Sequence, residues 1–467
     1  MPETFANGVI GVTDNKCDQT PEKNDCCGDS QPCCDSKPTV TNCCESAPAA
    51  TSCCGGETKP ASSCCESQAP ASGCCGSEQA SSGCWGSAAE ENPLLGRFNN
   101  MIGNCLDYAI HAKNQGRPLV GMMCEYTPRE LIIAAGGVPI CMCGGSQDMI
   151  GPAEQVLPAN LCPLIKSTFG YHMQKANPFM EIADLLVAET TCDGKKKMYE
   201  ILSKSRPMYV LELTQKSGDP EAFDHWVAEL RKFKEELERK FNCVITDEKL
   251  RDAIRLMNRE RSLRLQIAEY MKQDNPPISG RELIEFKSII SGIDEDLEQY
   301  EKSLCELDKT EKQRCSKPVR VLLTGVPMAH GAERVLDIIE NKGGLVVAQE
   351  TCTGVKPILQ NIDENAPDPL VAIARKYYEL PCSVMTDNNA RLDSLRELVE
   401  QYKPDCVIDL VWQTCLTYDI ESHLVENFVT EELGLGYLKI ETDYSSSDSA
   451  RIELRVEAML ESVASKA

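Results

Sequence analysis

The sequence predicts an α/β protein built as two lobes of parallel sheet, and three observations carry that expectation. Short β-branched runs end in the same Thr-Cys pair: LLVAETTC at Cys192, VVAQETC at Cys352 and DLVWQTC at Cys415. Such runs read as buried parallel strands with a thiol at the carboxyl tip. Strand-like and helix-like stretches alternate on both sides of a charged, helix-patterned middle. The second half also echoes the first: DLLVAETTCDGKK resembles both LVVAQETCTGVK and IDLVWQTC, and LCPLIK and LPCSVM occupy comparable places. The expected organisation is a Cys-rich tail (1–95), a first Rossmann-like lobe (96–218), a helical segment (219–317) and a second such lobe (318–467).

Each element has a local reason. Up to about residue 90 the chain is rich in Ser, Ala, Gly, Pro and Cys, with vicinal pairs from Cys26-Cys27 to Cys74-Cys75 and a variant unit at Cys84-Trp85. So little apolar surface cannot offset chain entropy, so disorder is expected there unless metal orders it. The tract reads either as a soft-metal or cluster buffer or as a repeat-expanded spacer. CEYTPRELIIAAGGVPI carries a helix-start signature, with Thr127 as cap, Pro128 at the first helical position and Glu130 three residues after the cap; Gly136 and Gly137 stop the helix. LCPLIKSTFGYHMQ precedes the strand to Cys192, and MYVLEL at 208–213 reads as another strand.

Asp219-Pro220 opens a helix whose stripe is Phe223, Trp226, Leu230, Phe233 and Leu237. A second helical stretch follows Asp247, and a third follows Ser279, which forms a capping box with Glu282. Beyond Pro318, VRVLLTG, LVVAQETC, CVIDLVWQTC and LGYLKIETD supply the strands of the second lobe.

Length, charge and cysteine usage bound the function. A chain of 467 residues exceeds one ordinary core. A net charge of −24 argues against a nucleic-acid or anionic-membrane surface. No apolar run is long enough to span a bilayer, and MPETFANGVIGVTDNK lacks the basic start and apolar run of a signal peptide, so a cytoplasmic location is expected. The 27 cysteines then stand out. In a reducing compartment they read as metal ligands, redox groups or buried small apolar residues. Cys243, Cys305, Cys315 and Cys406 fit the last description.

Six cysteines occupy matched contexts: Cys124, Cys162 and Cys192 in the first lobe, and Cys352, Cys382 and Cys415 in the second. None forms a tight zinc knuckle or a ferredoxin run with another of the six. What remains is a centre assembled from separate loops at the mouth of two sheets, where open α/β folds bind ligands. Gly194 and Gly354, each two residues after a cysteine, would let backbone pass close to a bulky cluster. Pro163 and the Lys195–Lys197 run would bring helix N-termini and positive charge to an anionic centre. Glu441 and Asp443 close the last strand as candidate catalytic proton donors, and His172, His330 and His423 as possible relays or structural groups. No phosphate-binding P-loop is present; TGVPMAHG is a weak Gly-loop signal.

The strings CEYTPRELIIAAGG, LCPLIKS, AETTCDGKKK, ETCTG, WQTCLTYDIES and IETDYS, in this order around a helical segment, resemble the 2-hydroxyacyl-CoA dehydratase D-component family. More narrowly they resemble its double-cubane-cluster anaerobic reductases, over about residues 98–463. Dehydratase-type subunits hold one 4Fe–4S cluster through three cysteines, here matching Cys162, Cys192 and Cys415. The reductase branch implies an 8Fe–9S double cubane on six thiolates, adding Cys352, Cys382 and one of Cys124 or Cys143, with Cys124 chosen. The resemblance further implies a separate ATP-hydrolysing iron–sulfur activator, with a homodimer of this chain as the expected assembly. The expected activity is an activator-dependent reductase delivering low-potential electrons to a small substrate. The alternatives are an (R)-2-hydroxyacyl-CoA dehydratase subunit and a non-enzymatic iron–sulfur storage or transfer protein.

Overall fold

A computed structural model of the chain describes residues 92–310 and 317–465, which belong to one compact unit. The tail expectations and Cys315 lie outside those residues. In the first lobe, β1 (Leu119–Met122), β2 (Val138–Cys141), β3 (Leu185–Glu189) and β4 (Met208–Leu211) form a parallel sheet in the order β2-β1-β3-β4. In the second, β5 (Val319–Gly325), β6 (Gly344–Glu350), β7 (Cys406–Trp412) and β8 (Gly436–Thr442) repeat that arrangement as β6-β5-β7-β8, again all parallel. The identical order bears out the α/β class and the internal echo.

The strands β1, β3, β6 and β7 are buried along their whole length, as parallel strands covered on both faces must be. The Thr-Cys tips end where expected. Cys192 lies three residues past β3, Cys352 two past β6 and Cys415 three past β7. Two strands are new relative to the sequence reading, LVGM in β1 and VPIC in β2. Four residues carry too little periodicity to announce themselves beside a strong helix signature.

That signature also needs correction. The helix starts at Arg129, with Pro128 in the cap position and no side-chain cap. Thr127 instead donates its hydroxyl to Glu189 at the tip of β3, and Glu130 is fully buried. Gly136 does end the helix in the left-handed region, at φ +81°. The other caps form as read. Asp219 accepts from the amides of Glu221 and Ala222 at the head of helix Pro220–Phe241, and Ser279 and Glu282 form the capping box. That last stretch divides, however, into helices Gly280–Glu285 and Asp294–Leu307. Cys406 is buried as expected, Cys243 only half-buried, and Cys305 is exposed on the outer face of an amphipathic helix.

The middle helices hold the lobes together. Trp226, fully buried, donates its indole N–H to the carbonyl of Ala374 in the second lobe at 3.1 Å. Asn258 clasps the backbone of Ile362, donating to its carbonyl at 2.8 Å and accepting from its amide at 2.9 Å. Arg261 meets Glu130 of the first lobe at 2.9 Å, and Tyr377 of the second lobe donates to the same carboxylate at 2.7 Å. One core cluster includes residues of both sheets, among them Leu186, Ala188, Leu323 and Leu410, together with Ile290 and Ile293 of the middle segment.

Glu130→Ala should lower stability by about 3–5 kcal/mol, because Arg261 would stay buried without its partner. Asp219→Ala, which removes only a cap, should cost about 1 kcal/mol. Denaturant midpoints of the two variants check the ranking, and an equal loss would refute the buried joint at Glu130.

Candidate metal centre

Parallel strands send all their following loops to one edge, so the Cys-bearing loops of each lobe gather at the carboxyl ends of its sheet. The described structure sorts the six cysteines into two sets, each drawn from both lobes. In the first, Cys162 and Cys415 pair through an S–H···S contact, and Cys192 lies in electrostatic reach of Cys415. In the second, Cys124 stands with Cys352 and Cys382.

All three cysteines of the first set occupy N-cap positions, of helices Pro163–Met173, Asp193–Leu202 and Leu416–Asn427. A helix N-terminus presents unpaired N–H groups and partial positive charge, which favour a thiolate. The Cys415 thiol, donating to Cys162, lowers it to about 7 against the effect of burial, and the amides of Leu164 and Ile165 add to that lowering. Cys415 moves upward in exchange, so the pair loses protons as a unit.

The second set sits in loops between the regular elements. Burial pushes Cys352 up to about 12 and Cys124 well above the usual thiol range. Two lysines oppose that effect: Lys195 near Cys124, and Lys356 near Cys352. Lys195 is the one member of the expected basic run that turns inward, donating to the carbonyl of Met123 at 3.2 Å. Lys196 and Lys197 pair on the surface with Asp193 and Glu200.

Cys143 follows β2 as Cys352 follows β6, but it adjoins Cys162 and Lys195, and its thiol lies 3.4 Å from the carbonyl of Met123. Gly194 and Gly354 have reasons within the chain itself. A Cβ on Gly354 would come 2.2 Å from the carbonyl of Gln349, and one on Gly194 would meet Leu161 and Ile165. Glu441 is exposed on β8, and Asp443 accepts from the Ser445 amide at 2.8 Å. Tyr444, between Ser445 and Asp443, is the residue whose hydroxyl faces Cys162, Cys143 and Cys415. His172 accepts from Arg206 and hydrogen-bonds Ser205, while His330 and His423 are exposed.

Several groups around the thiols carry no local sequence motif. Glu189 is fully buried, and burial raises its carboxyl to about 8. Its Oε2 has no hydrogen-bond partner among the described residues, and neither do the hydroxyls of Thr191, Tyr199 and Tyr444. Unpaired buried polar atoms are rare and costly, and here they crowd the edge where the thiols meet. A strand tip reading Ala-Glu-Thr-Thr-Cys held the signal for Glu189: an acid inside an otherwise apolar run.

Among the described residues, no group of three His, Cys, Asp or Glu closes around a single metal ion. A polynuclear iron–sulfur group carries its thiolates at separate corners and suits a wider set. Thiol chemistry, three N-caps, inward lysines and orphaned polar atoms all fit such a group.

Beneath the second set lies a buried charged network. Glu350 forms an ion pair with Lys356 at 2.7 Å and accepts from Thr324 at 2.5 Å and from Arg391 at 3.2 Å, and Arg391 also pairs with Glu421. Arg391→Met should therefore cost about 3–5 kcal/mol by leaving both carboxylates short of positive charge. Thermal or urea unfolding measures it, and a change below about 1 kcal/mol, the surface-pair value, would contradict the buried network.

Comparison with known proteins finds relatives over most of the chain. The family described as 2-hydroxyglutaryl-CoA dehydratase, D-component, matches residues 124–463. A protein of Escherichia coli strain K12 named as a dehydratase subunit, YjiM, is 38% identical over 359 residues, covering 75% of this chain and 92% of that protein. The (R)-phenyllactyl-CoA dehydratase beta subunit of Clostridium sporogenes is 21% identical over 78% of this chain and 97% of its own length. A benzoyl-CoA reductase subunit of Thauera aromatica is 22% identical over 63% of this chain and 77% of its own. The chain belongs to the 2-hydroxyglutaryl-CoA dehydratase D-component family.

Proposed function

We propose that the chain is an activator-dependent anaerobic reductase in which Cys124, Cys162, Cys192, Cys352, Cys382 and Cys415 hold a double-cubane 8Fe–9S cluster. The observation that carries this reading is the sorting of the six thiols into two sets of three, each shared between the lobes. Cys124 rather than Cys143 completes the second set, because Cys143 adjoins a set that already has three members. When bound, such a cluster supplies low-potential electrons.

The chain's own groups do the rest. Lys195, Lys356 and the three helix N-termini offset the negative charge of the centre. Glu189 and Tyr199 are buried, and with the buried hydroxyl of the half-buried Tyr444 they leave O–H groups to hand on protons, since Glu189 keeps its proton at neutral pH. Glu441 and Asp443, flanking the approach to Tyr444, are proposed to bring protons from solvent.

Electrons would come from a separate ATP-hydrolysing iron–sulfur activator. A protein partner on this face is supported by Leu416, Ile420 and Leu424, exposed along one stripe of the helix that begins at Cys415. Self-association as a homodimer and a cytoplasmic location complete the proposal; among the described residues no helix is long and apolar enough to cross a membrane.

The relatives named as dehydratase subunits favour a second reading, (R)-2-hydroxyacyl-CoA dehydration with one 4Fe–4S cluster on Cys162, Cys192 and Cys415. Iron and sulfide content of anaerobically purified protein separates the two. About eight irons per chain are expected, and about four, unchanged by reconstitution, would replace the reductase reading with the dehydratase one.

Single substitutions sharpen the comparison. Cys382→Ser should lower iron content and visible absorption under the reductase reading and leave both unchanged under the dehydratase one. Cys415→Ser should bleach the protein under either, and a fully coloured Cys415→Ser protein would remove that thiol from the ligand set.

A further inference from the structure

A cavity of about 30 Å³ opens where the middle segment meets the tip of β6, and two of the residues lining it carry orphaned polar atoms. One is Lys287, in the stretch between helices Gly280–Glu285 and Asp294–Leu307. Its Nζ is closed off from solvent and has no hydrogen-bond partner among the described residues. The other is Gln349 on β6, whose amide oxygen is in the same position. The Gln349 amide nitrogen donates to the carbonyl of Gly280 at 3.0 Å, which fixes the orientation of the group and turns the oxygen away from that partner.

The surrounding charges leave the amine unsatisfied. Arg264 is the other cation lining the cavity, and no lining residue is an acid. Arg264 meets Glu260 at 3.7 Å, a weak pair. Glu333 acts on the Lys287 amine through space, and its carboxylate accepts from the Gly331 amide at 2.9 Å. Arg281, also near, pairs with Glu285 at 2.9 Å and Asp337 at 3.1 Å. Burial draws the amine down to about 8; Arg264 and Arg281 work in the same direction, and Glu333 and Cys141 against it. A buried donor and a buried acceptor without partners are each costly, and one group that accepts from the first and donates to the second would satisfy both. The cavity has room for about two water molecules, which is also the scale of a small oxyanion. Two cations and no acid favour an anion over water, and the amide oxygen favours one that still carries an O–H.

We propose that Lys287 and Gln349 form a binding site for a small, singly charged oxyanion that keeps one acidic proton, of the bicarbonate class. Its charged oxygens accept from Lys287 and Arg264, and its O–H donates to Gln349. Ile284 and Lys287 also line a wider pocket of about 260 Å³, which offers a way in. Thr353 and Gly354, next after Cys352, line the cavity too, so an occupant braces the loop that carries that thiol. The site goes beyond the reductase reading and does not depend on the cluster type.

Bicarbonate is the probe, and nitrate is its counterpart of equal charge without the proton. Equilibrium dialysis of the full chain, purified anaerobically and freed of carbon dioxide, should show saturable binding of radiolabelled bicarbonate. Nitrate should compete about fivefold or more weakly, since it cannot donate to Gln349. Lys287→Met should weaken bicarbonate binding about tenfold or more, and Gln349→Met should bring bicarbonate and nitrate level. Unfolding midpoints show which variants are folded, and Lys287→Gln replaces Lys287→Met if the latter is not. Absence of saturable binding to the unaltered chain would overturn the proposal and leave water as the occupant. Nitrate binding as tightly as bicarbonate, or full affinity in a folded Lys287 variant, would overturn it as well.

Discussion

One buried carboxylate ties the three parts of this molecule. Glu130 belongs to the first lobe, Arg261 to the middle helices and Tyr377 to the second lobe, and all three meet at one point. A buried charge pair contributes little net stability against an apolar substitute, but breaking it is severe, which makes it a device for fixing geometry. Here the geometry it fixes is the approach of two sheet edges. Thiols contributed by loops of separate lobes can share a centre only if that approach is held, so the joint precedes the chemistry.

Charge handling at that edge follows from where the sequence puts its polar groups. Three of the cysteines stand at helix N-termini, and two inward lysines lie near the other three. Glu350 and Arg391 then fix the ground under the second set without reaching solvent. At that edge Glu189 is fully buried, and its burial favours a proton held at a defined carboxyl.

What could be read from residues alone was whatever rests on local chemistry. Thr-Cys strand tips, the Asp219 cap and the Ser279 capping box each have a mechanism confined to a few neighbours, and each is found in the fold. The failures share the opposite property. Thr127 fits a cap perfectly well by sequence, yet a carboxylate 62 positions away takes its hydroxyl. Lys195 cannot be told from Lys196 and Lys197 until tertiary packing turns one inward. Tyr444 hides behind its acidic neighbours because nothing in the string tells which of three adjacent side chains faces the thiols.

The shared strand order of the halves has a consequence for how the crevice is organised. Cys192 and Cys415 follow corresponding strands, β3 and β7, and they sit together. Cys162 and Cys382 also occupy comparable places, but they have parted to opposite sets. Two copies related by a strict dyad would give a centre with interchangeable ends. In this chain that equivalence is absent, since one set stands at helix N-termini and the other in loops. The crevice therefore has a polarity that neither half possesses by itself.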